Sequence, residues 1–451
     1  MAFIERVVRP QYDRAVQRAG IVHFGIGAFH RAHQAVYTDD AMNAGDRDWG
    51  IIGVSLRSPS VAEQMNPQDG LFTVTQRSID GEAVRLVGAV QKVLVASQTP
   101  DAVIDALASP DTHIVSFTIT EKGYCRAADG GLDFALADDA SVYAYLAAGF
   151  RKRQADGAVG LTLMSCDNLA SNGEQLQRLV TEYLERQAPD LLEWFKSECA
   201  CPSTMVDRIV PATTDDDRQA IEDIIGMRDE AAIVTEPFNQ WVIEDRFAGP
   251  RPAWEKVGAQ LTNNVHAYET AKLRMLNGAH SALAYLGLGK GFDYVHQAIA
   301  DPDLLERINT LMREEATTSF TAAAGQDLFA YADALIERFK NPALNHRLAQ
   351  IAMDGSQKIP QRWLETLAYH QSNGRQCPAI LTALTAWLTH VRAGVRISDD
   401  PMADEFAEIA SKTDPDSFID ALFTGSGYFS QHWQPTADDR AFLLKRVGGC
   451  S

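Results

Sequence analysis

The chain has 451 residues, of which 46% are hydrophobic and 22% charged, and it carries a formal net charge of −19. That length exceeds what one core usually organises and points to two domains. So acidic a chain has no electrostatic reason to bind nucleic acid or an anionic membrane, and an anionic substrate would need a local basic patch.

In chain order, residues 1–20 mix charged and apolar side chains without the continuous apolar run of a signal peptide. No window approaches the length of a membrane span. Short β-branched runs at 21–25, 50–56, 72–76, 84–90, 113–120, 161–165 and 231–235 alternate with helical patterns. Several are largely apolar, as expected where helices cover both faces of a parallel sheet. Strands separated by helices predict βαβ units and a doubly wound sheet. The pattern changes near Asn263. Residues 267–288, 304–324, 328–339, 344–352 and 380–391 read as helices, and strand-like runs become rare. The expected organisation is an α/β nucleotide-binding domain over 1–262 and a mostly helical domain over 263–451. The cysteines Cys125, Cys166, Cys199, Cys201, Cys377 and Cys450 are scattered without CxxC pairs. They indicate neither a disulfide framework nor a structural zinc site, so a reducing cytoplasm is the expected setting. Composition leaves the oligomeric state open.

The first strand runs into Gly25-Ile-Gly27-Ala-Phe29-His30-Arg31. A strand emptying into Gly-x-Gly and a helix lets a backbone approach a pyrophosphate, and the helix N-terminus offers free N–H groups. His30 stands where the usual fingerprint has a third glycine. The same turn could also join strand and helix without any ligand. Arg31 either pairs with a phosphate or is an ordinary surface residue. The second strand ends Arg57-Ser58-Pro59-Ser60, without the acid that holds the ribose of NAD, so NADP is possible beside NAD. Asn168, in Ser165-Cys-Asp-Asn168, follows a strand at the end where open α/β sheets bind ligands; an Asx-turn capping the next helix is the alternative.

Residues 266–281 place Glu269, Lys272, Asn277 and His280 within an arc of roughly 140° on an α-helical wheel. Gly278 among them suggests close approach of a ligand or of another backbone. A lysine of lowered pKa could serve as general base for oxidation of an alcohol, and an amide such as Asn277 could hold the developing alkoxide. A solvated polar helix face would produce a similar pattern.

Together these segments resemble the mannitol dehydrogenase family of polyol-specific long-chain dehydrogenases. The resemblance runs through 24–33, 118–124, 165–168, Met205-Val-Asp-Arg-Ile209, Glu236-Pro-Phe-Asn-Gln-Trp-Val242 and 272–280. It implies a Rossmann-type domain joined to a helical one, with the substrate between them, NAD or NADP as cofactor and no metal. Zinc-dependent polyol dehydrogenases would need a Cys/His/Glu ligand spacing that is not found in the sequence. By resemblance Lys272 is the catalytic acid/base, Asn168 and Asn277 form the oxyanion hole, and His280 contacts substrate. Glu269 and Asp207 belong to the proton path. Gly25, Gly27, Phe29, Arg31 and Arg57 form the expected cofactor set. The segment 351–362 looks more like the branch that reduces fructuronate to D-mannonate than like the branch that oxidises mannitol to fructose. Lys358 matches a substrate-contacting lysine, whereas Gln350 replaces a substrate-binding arginine of the mannitol branch. Lys358 and Arg362, four apart, could pair with a sugar-acid carboxylate. A dinucleotide sensor without catalysis is the rival of another class; a proton donor at Lys272 would be of no use to it.

Overall fold

The structure is a computed structural model and describes residues 7–127, 129–137, 140–393 and 400–447; Cys450 and residues 1–6 lie outside this set. The chain forms two compact units, Met1–His266 and Ala267–Ser451.

The first unit contains the strands β1 Val7–Val8, β2 Ile21–Phe24, β3 Ile51–Ser55, β4 Phe72–Ser78, β5 Gly81–Val87, β6 Val90–Val95, β7 Ile114–Phe117, β8 Thr162–Ser165, β9 Thr204–Asp207, β10 Ile233–Thr235, β11 Gln240–Glu244 and β12 Gln260–Thr262. Five of them make one parallel sheet in the order β6-β3-β2-β7-β8. The chain builds outward from β2 to one side through β3 and β6, then returns to its other side with β7 and β8. This is the Rossmann arrangement, and the direction of winding reverses between β2 and β7, the switch point where such sheets bind ligands.

Alternation along β2 explains its packing. Val22 and Phe24 enter an apolar core with Val115, Phe117 and the helices Pro100–Ala108, Val142–Ala155 and Asn172–Gln187. Ile21 enters a core on the other face with Ile51, Ile114 and the helix Gln34–Asn43. That second core also takes residues from two small sheets, β1-β5-β4-β10 and β12-β11-β9. Three of the expected strands, at 72–76, 84–90 and 231–235, therefore contribute to a side sheet rather than extending the parallel one. The 84–90 run is two strands: β5 ends at Val87 and β6 begins at Val90. Between them Gly88 N–H donates to the buried carboxylate of Asp39 at 2.9 Å, which turns the chain from one sheet into the other.

The second unit is helical around one apolar core. Nine of the twelve residues of helix Gly278–Gly289 are buried, and small side chains let its neighbours close in. A Cβ at Gly287 would lie 2.7 Å from Leu348 Cδ1. The expected helices at 267–288 and 304–324 are each interrupted. Val265–Ala271 passes into a π-helical segment, Lys272–Asn277, before the α-helix resumes at Gly278. Pro302–Thr310 passes into a second π segment, Leu311–Ala316, and a third spans Pro360–Leu364. The expected helix at 344–352 reduces to Leu348–Ile351.

Candidate active site

The turn after β2 is shaped by glycine. Gly25 has φ +89°, and a Cβ there would fall inside the carbonyl group of Thr118, at the end of β7. Gly27 N–H donates to Gly25 O at 2.6 Å, closing the turn. Gly27 then caps the helix Ala28–Ala32 without any side-chain hydrogen bond to the first-turn amides. A Cβ at Gly27 would meet only Gly25 O, at 3.8 Å, within 4 Å. The turn thus presents uncapped N–H groups and open space above Gly27, at the switch point of the sheet. Those features fit the pyrophosphate of a dinucleotide.

Beneath the turn, His23 of β2 is fully buried and burial pulls its imidazole down to about 3, so it is neutral. Thr118 Oγ1 donates to Gly25 O at 2.7 Å, so His23 Nε2–H donates to Thr118 Oγ1 at 2.9 Å. That leaves His23 Nδ1 to accept from Ser116 Oγ at 2.7 Å. His30 stacks on His23 with centroids 3.4 Å apart. A flat ring against a flat ring gives the close helix–strand packing that a third glycine usually supplies. Gly53 of β3 adds room, since a Cβ there would lie 2.8 Å from Ile26 Cγ1. The sequence reading gave His23, Thr118 and Gly53 no role. The available signal was a histidine inside the apolar run Ile-Val-His-Phe.

Arg31 is not the ordinary surface residue that the sequence allows. It is 6% exposed, and its guanidinium donates to Ala231 O at 2.5 Å and lies over the Phe72 ring at 5.9 Å. Burial lowers it to about 10, still charged at neutral pH. Arg31 ties the helix after the turn to the side sheet. Arg57 is exposed beyond the end of β3, where the second strand of a Rossmann sheet meets the adenosine ribose. Arg57→Asp is expected to lower kcat/KM with NADPH at least about tenfold relative to NADH, by repelling the 2′-phosphate. Parallel initial rates with the two cofactors check this, and an unchanged ratio would remove Arg57 from the cofactor site.

At the far edge of the sheet, Asn168 is exposed in the loop after β8. It is not the cap of the following helix, whose N-cap is Ser171. Asn172 anchors the loop instead: its Nδ2 donates to Asp167 O at 3.1 Å and to Thr204 O at 2.9 Å, and its Oδ1 accepts from Thr204 N–H at 2.8 Å. Asp207 is buried and ends β9, paired with Gln240 of β11.

In the second unit the π segment changes the helical wheel. A π-turn closes i→i+5, so each residue turns the axis by less than the ~100° of an α-helix. The arc read at α-helical spacing from Glu269 to His280 does not carry across it. Lys272 opens the π segment and Asn277 ends it, both half-buried; Glu269 is half-buried on the preceding α-turn and His280 is buried on the following one. A Cβ at Gly278 would lie 3.4 Å from Arg362 O, close to an ordinary contact, so this backbone packs near Gly278 without demanding a glycine. The neighbouring π segment also takes carbonyls of this stretch. Trp363 Nε1 donates to Gly278 O at 3.1 Å, and Arg362 donates to Asn277 O at 3.3 Å and to Ser281 Oγ at 2.7 Å. His280 packs on Phe339 at 4.7 Å and edge-on to His346 at 5.1 Å. Burial, and then the charges of His346, Arg338 and Arg362, hold its imidazole well below the usual range, so it is neutral at pH 7.

Lys358 sits on the short helix Gly355–Ile359 leading into that π segment. Its Nζ donates to Met353 O at 2.6 Å and lies 3.6 Å from Asp354. Burial, and then Arg362, lower the Lys358 ammonium. Burial lowers Arg362 to about 10. Two half-buried cations thus stand in one stretch of chain, and the charge of Arg362 disfavours that of Lys358.

Residues 19–256 match the mannitol dehydrogenase Rossmann domain, and residues 264–431 match the mannitol dehydrogenase C-terminal domain. The chain belongs to the mannitol dehydrogenase family. It is accordingly an oxidoreductase acting on CH–OH groups. The chain is 39% identical to a D-mannonate oxidoreductase of Escherichia coli, over 96% of this chain and 93% of that one. Among solved structures, a D-sorbitol dehydrogenase in substrate-free form has a TM-score of 0.91 at 31% identity, covering 98% of this chain and 94% of that one. A Pseudomonas fluorescens mannitol 2-dehydrogenase, in ternary complex with NAD and D-mannitol, has a TM-score of 0.78 at 35% identity with the same coverage.

Proposed function

We propose that this NAD-dependent member of the mannitol dehydrogenase family reduces a keto sugar acid, D-fructuronate, to D-mannonate and catalyses the reverse oxidation. The observation that carries the choice of an acid is the Lys358–Arg362 pair. Each cation is drawn from water and Arg362 depresses Lys358. A bound carboxylate would offset the desolvation of both and the repulsion that Lys358 feels from Arg362. In a chain of net charge −19, such a local pair is the feature an anionic substrate requires. The 39% identity to a D-mannonate oxidoreductase agrees with it.

The roles rest on the family resemblance together with residue chemistry. Gly25 and Gly27 keep side chains out of the way of the pyrophosphate, the backbone amide of Phe29 in the first helical turn donates to it, and Arg57 lies at the adenosine end. The nicotinamide, when bound, supplies or accepts the hydride. In the reduction Lys272 gives a proton to the carbonyl oxygen, and in the oxidation it takes that proton back. The side-chain amides of Asn168 and Asn277 donate to the oxygen as charge develops on it. Neutral His280 orients a neighbouring hydroxyl, and Glu269 and Asp207 carry the proton onward. Residues 1–262 act as the nucleotide-binding part and 263–451 as the part bearing the acid/base. A cytoplasmic setting fits the scattered cysteines.

A second reading, a neutral ketose such as D-fructose, is favoured by Asp354, 3.6 Å from Lys358 and able to balance its charge. Lys358→Ala separates the two. We expect KM for D-fructuronate to rise at least about tenfold, the scale of one charge-assisted contact, with KM for D-fructose unchanged. An equal rise for both substrates would favour the neutral reading.

A further inference from the structure

Tyr124 and Asp167 have no part in the roles given above, yet they join the two ligand-facing loops of the first unit. Tyr124 is 1% exposed. Its hydroxyl lies 2.9 Å from Asp167 Oδ2 and 2.6 Å from Ser165 Oγ. Burial and then the Asp167 charge push the phenol well above its ordinary range, so it stays protonated. Its one proton goes to the carboxylate, and its lone pair accepts from the Ser165 hydroxyl. Asp167 uses its other acceptor positions on the loop after β7: Ile119 N–H donates to Oδ2 at 2.9 Å and Thr120 N–H to Oδ1 at 3.3 Å. Thr120 has φ +61°, a left-handed conformation that a threonine adopts only under such constraint.

The placement gives this arrangement its interest. β7 lies between β2 and β8 in the sheet. The loop 118–120 therefore stands between the glycine turn after β2 and the Asn168 loop after β8. On one side Thr118 O fills the space that the missing Cβ of Gly25 leaves. On the other, Asp167 is the residue before Asn168, and its own carbonyl accepts from Leu169 N–H at 2.9 Å and Asn172 Nδ2 at 3.1 Å. A half-buried carboxylate receiving one phenol and two backbone donors, beside a strained residue, is a large amount of polar organisation for one loop.

We propose that Tyr124 and Asp167 are positioning residues that hold Asn168 in register with the glycine turn, and that they influence turnover through Asn168. The proposal rests on the reading of Asn168 as a donor to the reacting oxygen. A double-mutant cycle on the full chain tests it, with NADH oxidation by D-fructuronate and NADH affinity by fluorescence titration as readouts. Asn168→Ala should lower kcat about 100-fold, the usual loss for an oxyanion donor. Tyr124→Phe should lower kcat about tenfold with NADH affinity and ketose KM within about twofold of wild type. The double variant should be no slower than Asn168→Ala alone. If Tyr124→Phe multiplies the loss of Asn168→Ala, or leaves kcat untouched, the positioning role is wrong and the Asn168 reading stands. If Asn168→Ala itself turns over normally, both fall. Should Tyr124→Phe melt well below wild type, the same cycle with Asp167→Asn decides by the same outcomes.

Discussion

Lys272→Ala is expected to lower turnover by about 10²–10⁴-fold, the range for loss of a positioned general acid, while NADH still binds. Lys272 begins the π segment, where the helix admits an extra residue and the backbone is held from outside by Trp363 and Arg362. A π-turn fixed in this way aims its side chains differently from the α-turns on either side, and such turns recur at functional sites. The sign of the pH dependence follows from the role. Reduction needs the protonated ammonium, so its rate falls as pH rises through the lysine's pKa; oxidation needs the neutral amine and rises through the same value. His280 adds no ionisation near pH 7, because burial keeps it neutral there. Steady-state kinetics in both directions check this, and near-normal turnover of the alanine variant would remove Lys272 from the chemistry.

Gly25→Ala is expected to destabilise the protein by about 2–5 kcal/mol and to abolish measurable NADH binding. Two effects add. The backbone at φ +89° strains any L-residue, and the new methyl would collide with the Thr118 carbonyl, a backbone group between two loops that cannot swing aside. Gly157→Ala is the control: its φ is +63° but nothing lies within 4 Å of its Cβ position. It should show only the strain, about 1 kcal/mol, and leave NADH binding intact. Urea unfolding with fluorescence titration separates the two variants, and equal stability of both would mean that the close approach of Thr118 to Gly25 is not what the glycine is for.

The fold class was legible because the strands of the parallel sheet are short, apolar and separated by helical patterns. What escaped has local causes. Gly88-Ala89 looks like the interior of one strand at 84–90, and only the Asp39 carboxylate 49 residues away makes it a crossing between sheets. β9 and β11 were missed because they are short and bounded by polar residues that pair with each other, Asp207 with Gln240. Within the site, the glycine turn was readable from Gly25 and Gly27, but the burial of Arg31 was not. Its partner, Ala231, is 200 residues distant. The π-turn at Lys272 has no sequence signature in a wheel that assumes one period, so the angular relation of these residues was not legible. The resemblance to the family supplied the role of Asp207, which no spacing argument would have reached.

The central claim is that the chain reduces a keto sugar acid with NADH. Initial rates of NADH oxidation by the purified, EDTA-treated protein, with D-fructuronate and D-fructose in parallel, test it most directly. The account predicts that kcat/KM for D-fructuronate exceeds that for D-fructose by at least about 100-fold, the factor of roughly 2.7 kcal/mol expected for a fully engaged carboxylate. Equal or reversed preference would contradict it, and would return the Lys358–Arg362 pair to a purely structural role around the π-turn.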